Sequence, residues 1–158
     1  MQKVSVFVDV QNIFYTTKQV YGCNFNYNNF WNQVTAGRKL IQATAYAIDR
    51  GDEKQKQFQN ILRGIGFNVK LKPYISRKDG SAKGDWDVGI TIDIMECAKE
   101  SDVIVLASGD GDFDLLMQNV KTRHDTVSEV YSVKELTAKS LINSASKFFP
   151  IEGDLLLK

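Results

Sequence analysis

Compact apolar runs alternate with stripes of helical period along the chain. Val4–Val8 (VSVFV) and Val103–Ala107 (VIVLA) are the runs expected of central parallel strands covered on both faces. Leu40–Ile48 (LIQATAYAI) and Val127–Tyr131 (VSEVY) read as further strands. Phe67–Ile75 (FNVKLKPYI) alternates apolar and polar residues and contains Pro73, which cannot donate to a ladder; it predicts a strand near an edge. Helices are predicted from about Asn12 to Tyr21, around Phe30, Trp31 and Val34 behind a cap at Asn26–Asn28, and over Asp52–Ile65, where Phe58, Ile61, Leu62 and Ile65 share a stripe that Gly66 ends. Trp86–Lys99, Phe113–Thr122 and Leu136–Ser144 complete the helices, Arg77–Asp85 reads as a loop, and Lys147–Phe149 as one more short extended piece. Such alternation joins parallel strands by right-handed crossovers. The expected fold is α/β: a three-layer α/β/α sandwich around a central, mainly parallel five-stranded sheet, one domain over residues 1–150, with 151–158 as a C-terminal tail.

Composition narrows the field. A hydrophobic fraction of 43% and a charged fraction of 25% are ordinary for a globular chain. No apolar run approaches the roughly 20 residues that span a bilayer, so no membrane partner is expected. The opening MQKVSVFVDV lacks the features of a signal peptide, and Cys23 and Cys97 stand apart without CxxC spacing, which suits idle thiols in a cytoplasmic protein. His124 is the only histidine, which excludes chemistry that needs two. The net charge of +1 decides nothing about nucleic acid. Lys70, Lys72, Arg77, Lys78 and Lys83 fall close together and form a local patch that would attract phosphates, although such a stretch is more often a solvated face.

The aspartates carry more information. In parallel α/β sheets, ligands bind beyond the carboxyl ends of the strands, near the reversal of strand order. Asp9 directly follows the first strand, and Asp110 and Asp112 (SGDGDF) follow the most apolar one. A carboxylate immediately after a buried strand is costly unless it is paired or faces a cation. Several together repel and raise one another's pKa, a conflict that a divalent ion resolves. Magnesium and manganese suit such oxygen donors. Asp85 and Asp87 sit where a loop enters a helix; Asp93 lies about 240° around that helix from Asp87 and does not point to the same spot. Taken singly, Asp112 and Asp87 are also reasonable helix N-caps.

The segments VFVDVQN (Val6–Asn12), KGDWDV (Lys83–Val88) with Asp93, and SGDGDF (Ser108–Phe113) together resemble the NYN domain family, LabA-like members of the PIN-like nuclease group, over roughly residues 3–149. The resemblance implies a PIN-like fold, an acidic pocket for Mg2+ or Mn2+, and endoribonuclease activity on RNA. Position by position it points to Asp9, Asn12, Asp87, Asp110, Asp112 and Ser108, with Asp93 at another acidic position; of the two aspartates in KGDWDV, helix phase and the motif's ending favour Asp87 over Asp85.

The expected function is therefore metal-dependent hydrolysis of RNA, single-stranded by preference. Asp9, Asp87 and Asp110 hold the metal, Asp112 completes the shell or orients water, Asn12 and Ser108 bond water or a phosphate oxygen, and Lys83 stands at the rim. Tyr15, Tyr74 and Trp86 are candidates to stack on bases, with packing the commoner fate of such rings. The alternative is a catalytically inactive RNA- or protein-binding regulatory module of the same fold. A haloacid-type phosphatase needs a second aspartate where this chain reads DVQN, and a dinucleotide-binding fold needs a GxGxxG that is missing after the first strand. The apolar end, Leu155–Leu157, suggests a homodimer contact.

Overall fold

The structure is a computed structural model and describes residues 1–73, 75–76, 82–83 and 85–158, the pairs 75–76 and 82–83 through their backbone. Strand β1 (Gln2–Asp9) leads into helix α1 (Val10–Tyr21); the short β2 (Asn24–Phe25) precedes α2 (Tyr27–Thr35). Then come β3 (Arg38–Asp49), α3 (Glu53–Ile65), β4 (Asn68–Pro73) and the small antiparallel pair β5 (Ile75–Ser76) and β6 (Ala82–Lys83). Helix α4 (Asp87–Ala98), β7 (Val103–Ala107), a 3-10 turn at Gly111–Phe113, α5 (Asp114–His124), β8 (Val127–Ser132), α6 (Lys139–Ser144), β9 (Lys147–Pro150) and β10 (Leu156–Leu157) follow.

The main sheet has the order β4-β3-β1-β7-β8-β9, and every neighbouring pair in it is parallel. It has six strands rather than the expected five. The sixth is β9, short and half-buried, which adds to the edge through pairs such as Val130 with Phe148. From β1 the chain builds outward to β3 and β4, and from β7 outward to β8 and β9. The order therefore reverses between β1 and β7, the place where a parallel sheet opens a binding crevice.

Strand alternation divides the core between two faces. Val4, Val6 and Val8 of β1 face one side, with Val103, Val105 and Ala107 of β7; Ile13 of α1, Phe30 and Val34 of α2 and Leu62 of α3 cover them. Phe7, Ile104 and Leu106 face the other, under Ile90 and Ile94 of α4, Leu116, Met117 and Val120 of α5 and Leu141 of α6. The two covered faces make the chain a three-layer α/β/α sandwich.

Local chemistry sets the helix starts. The side chains of Asp9, Asn26 and Asp52 accept from the backbone amides of Asn12, Asn29 and Gln55 at 3.3, 3.1 and 2.9 Å, capping α1, α2 and α3. Helix α1 thus begins at Val10, two residues before the expected start, because Asp9 ends the strand and caps the helix at once. Gly22 closes α1 in the left-handed conformation, φ 65°.

The residues after Pro150 fold back onto the domain. Ile151, Leu155 and Leu156 are buried in the first core, and β10 pairs antiparallel with β2. Two of the three leucines expected at a partner contact, Leu155 and Leu156, pack into the chain's own core, and Leu157 stays half exposed. Among the described residues, no helix is long and apolar enough to cross a membrane.

Candidate metal centre

The site forms where β1 and β7 end side by side, Val8 opposite Ala107. Asp9 is the last residue of β1. After β7 the chain turns through Ser108, Gly109 and Asp110 into the 3-10 turn that carries Asp112. Asp87 comes from a third direction, as the first residue of α4. Asp87, Asp110 and Asp112 each offer a carboxylate oxygen, and these oxygens lie within 4.8 Å of one another.

Asp9 stands beside this trio. Burial, with smaller contributions from the charges of Asp110 and Asp85, pushes its carboxyl up to about 6, against hydrogen bonds from Asn12 and Ser108 that pull it down. Burial, a hydrogen bond shared with Asp110, and the surrounding carboxylates push Asp87 up to about 7. Burial, reinforced by neighbouring carboxylates, therefore disfavours the ionised form of both groups in the absence of a cation. Even Tyr27, whose phenol is pushed up chiefly by burial, is pushed further by the charge of Asp9.

Two expected ligand-binding groups turn out to hold the loop in place. The Ser108 hydroxyl is fully buried; it donates to Asp9 Oδ2 at 3.3 Å and accepts from the Asp110 amide at 3.2 Å. Asn12 Oδ1 accepts from the Gly109 amide at 2.9 Å. Together they tie the start of α1 to the loop after β7. Gly109 is packed so closely that a Cβ there would lie 2.5 Å from Ser132 Oγ, so only glycine lets the loop pass. Asp110 Oδ1 accepts from the Asp112 amide at 2.9 Å, which makes Asp110 the cap of the turn and frees Asp112 from that role.

Asp87 is not an N-cap either. Asp85 Oδ1 accepts from the Asp87 amide at 3.2 Å, so exposed Asp85 braces the helix start while Asp87 turns to the pocket. Asp93, as its helical phase required, points elsewhere: Asp93 Oδ2 accepts from Tyr46 Oη and from Lys70 Nζ, both at 2.7 Å. That pairing was missed from sequence, as it joins β3, β4 and α4, and it takes Lys70 out of the expected phosphate-attracting patch. Lys72 is likewise engaged: Nζ lies 4.6 Å over the Trp86 ring and donates to the Asp85 carbonyl at 3.1 Å. Trp86 packs rather than stacking on a ligand: its indole Nε1 donates to the Ala47 carbonyl at 2.8 Å and its ring leans on Tyr46 and Gly89. The side chain of Lys83, and Tyr74, Arg77 and Lys78, lie outside the described residues.

The parallel sandwich with carboxylates meeting at its strand-order reversal defines a PIN-like domain with an acidic pocket. The chain belongs to the NYN domain family, whose model matches residues 3–152, and within it is LabA-like. It is 26% identical over 159 residues to the low amplitude and bright protein LabA of Synechococcus elongatus, across 94% of this chain and 83% of that one. A crystal structure of a protein of unknown function from Vibrio parahaemolyticus is 51% identical, with a TM-score of 0.94 over 99% of this chain and 96% of the other. A ribokinase from Giardia lamblia, 12% identical with a TM-score of 0.50 over 94% of this chain and 55% of its own, shares the layout of the fold alone.

Proposed function

We propose that this protein is a divalent-metal-dependent ribonuclease that cuts single-stranded RNA, in the cytoplasm, at the acidic pocket. The observation that carries the reading is the convergence of Asp87, from the start of α4, with Asp110 and Asp112, from the turn after β7, to within 4.8 Å, beside Asp9. Membership of the NYN family supports RNA as the substrate class.

The donor set fits Mg2+ or Mn2+: every candidate ligand is a carboxylate oxygen, and a cation would favour the ionised forms of Asp9 and Asp87 that burial disfavours. Asp87, Asp110 and Asp112 would hold the ion, with Asp9 directly or through water. The ion when bound supplies charge compensation for the phosphodiester and makes a water molecule more acidic. Ser108 and Asn12 keep Asp9 and Asp110 at fixed separation, and Asp85 supports the Asp87 turn. Asp93 supports α4 through Tyr46 and Lys70.

Cleavage of end-labelled single-stranded RNA with manganese or magnesium tests this, with Asp9→Asn and Asp110→Asn beside the wild type. Each variant should lose about a hundredfold or more in rate, and calorimetry should show weakened manganese binding. Equal cleavage by all three proteins would sink the assignment. Manganese-dependent RNA binding without turnover in the wild type would mark the chain as a binding module of the same fold.

A further inference from the structure

A second feature adjoins the acidic pocket. Between α1, α3 and the end of β3 runs a groove of about 900 Å³, in the size range of ligand sites and lined mainly by apolar side chains. Its floor includes Tyr27 and Phe58 in edge-to-face contact, with ring centroids 5.5 Å apart. Its mouth carries Phe14 and Tyr15, 49% and 50% exposed, and on the far wall Ile61, 58% exposed. Arg50 Nη2 donates to the Tyr15 hydroxyl at 3.4 Å across the opening, and asparagine and glutamine amides line the rim.

One end of the groove lies next to the metal centre in the chain: Val10 and Gln11, which follow Asp9, form it. Ala47 lines the groove and holds the Trp86 indole between Asp85 and Asp87. A strand whose phosphate lies over the carboxylates would have its neighbouring base within reach of this apolar, aromatic-mouthed space. Ring faces and apolar walls suit bases, and amides at the rim suit base edges, beside the charged Arg50, Asp52, Glu53 and Lys54 that also line the groove.

We propose that this groove is a nucleobase-binding subsite, in which Phe14 and Tyr15 stack on unpaired bases flanking the phosphodiester held at the acidic pocket. The inference rests on the reading of that pocket as an RNA site. Its consequence is that the protein requires unstacked, single-stranded RNA because a base must leave the helix to enter the groove.

The test uses the full chain and fluorescence anisotropy in calcium, with a labelled single-stranded RNA and the same strand carrying abasic residues. Wild type should bind the intact strand roughly 5- to 100-fold more tightly than the abasic one. The double variant F14A/Y15A should lose a similar factor on intact RNA and almost nothing more on the abasic strand, since both changes remove one contact. Both rings are half exposed, so the fold should survive; Ile61→Glu, on the opposite wall, provides a second variant with the same expected loss. Equal binding of intact and abasic strands, or losses that simply add, overturns the subsite. So does a groove closed by a second copy of the chain, seen as a dimer in sedimentation that Ile61→Glu dissolves while RNA binding stays whole. Cleavage by Asp110→Asn tests the other reading separately: if the variant still cuts while the abasic penalty persists, the pocket assignment fails and the groove stands.

Discussion

Asp9 combines a raised carboxyl, about 6, with the cap of α1. Asp87 is raised to about 7. Both folded-state values exceed the ordinary 3.8. Between those values the folded metal-free protein holds more protons than the unfolded chain, so its stability falls as pH rises through that interval. The melting temperature without metal should therefore drop between about pH 4 and about pH 7, and added manganese should restore it at the higher pH; a flat profile in chelator would contradict the burial of these carboxyls. Asp9→Asn isolates one contributor. Asparagine caps a helix as well as aspartate does, so the variant keeps α1 and loses only the costly charge. At about pH 8 without metal it should gain on the order of 1–2 kcal/mol by thermal or urea denaturation, while its stabilisation by manganese shrinks. These aspartates were legible in the sequence because a residue directly after a buried strand has a known place in a parallel sheet. The assignments of Ser108 and Asn12 to loop bracing were not legible: whether a polar group faces substrate or a backbone amide depends on distances across two strand ends.

At the scale of elements, the expected and observed boundaries agree best where burial is complete. Val103–Ala107 matches β7 residue for residue, since an apolar run covered on both faces has no other stable place. Strand β9 was harder to read: KFFP is short, lies at an edge and ends in proline, so pairing rather than pattern makes it a strand. Cross-strand chemistry was also hidden. Arg38 at the start of β3 forms a bidentate pair with Glu129 of β8, at 3.1 and 2.8 Å, although the two lie 91 positions apart. Glu129 is 3% exposed. Removing its partner strands a buried charge, so Arg38→Met should cost about 3–5 kcal/mol, measured by urea denaturation. Replacing both residues by Arg38→Met with Glu129→Leu should recover most of that loss, and failure to recover would mean that the pair does more than satisfy itself.

On the scale of the whole molecule, the class of fold follows from alternation alone, while the location of its working surface follows from topology. The reversal of strand order between β1 and β7 concentrates the carboxylates, the braced glycine loop and the mouth of the apolar groove on one rim of the sheet. The opposite rim carries the amino ends of the strands, including Arg38. The sheet also has two open margins, β4 and β9. The chain contains two prolines, and each closes one of those marginal strands, Pro73 on β4 and Pro150 on β9. An unpaired strand margin is a template on which other chains can polymerise, and proline denies it a donor. Replacing both with valine should leave the melting temperature within a few degrees while concentrated solutions begin to scatter light on storage. A protein built this way can keep a long, fully parallel sheet at high concentration without seeding fibres of itself.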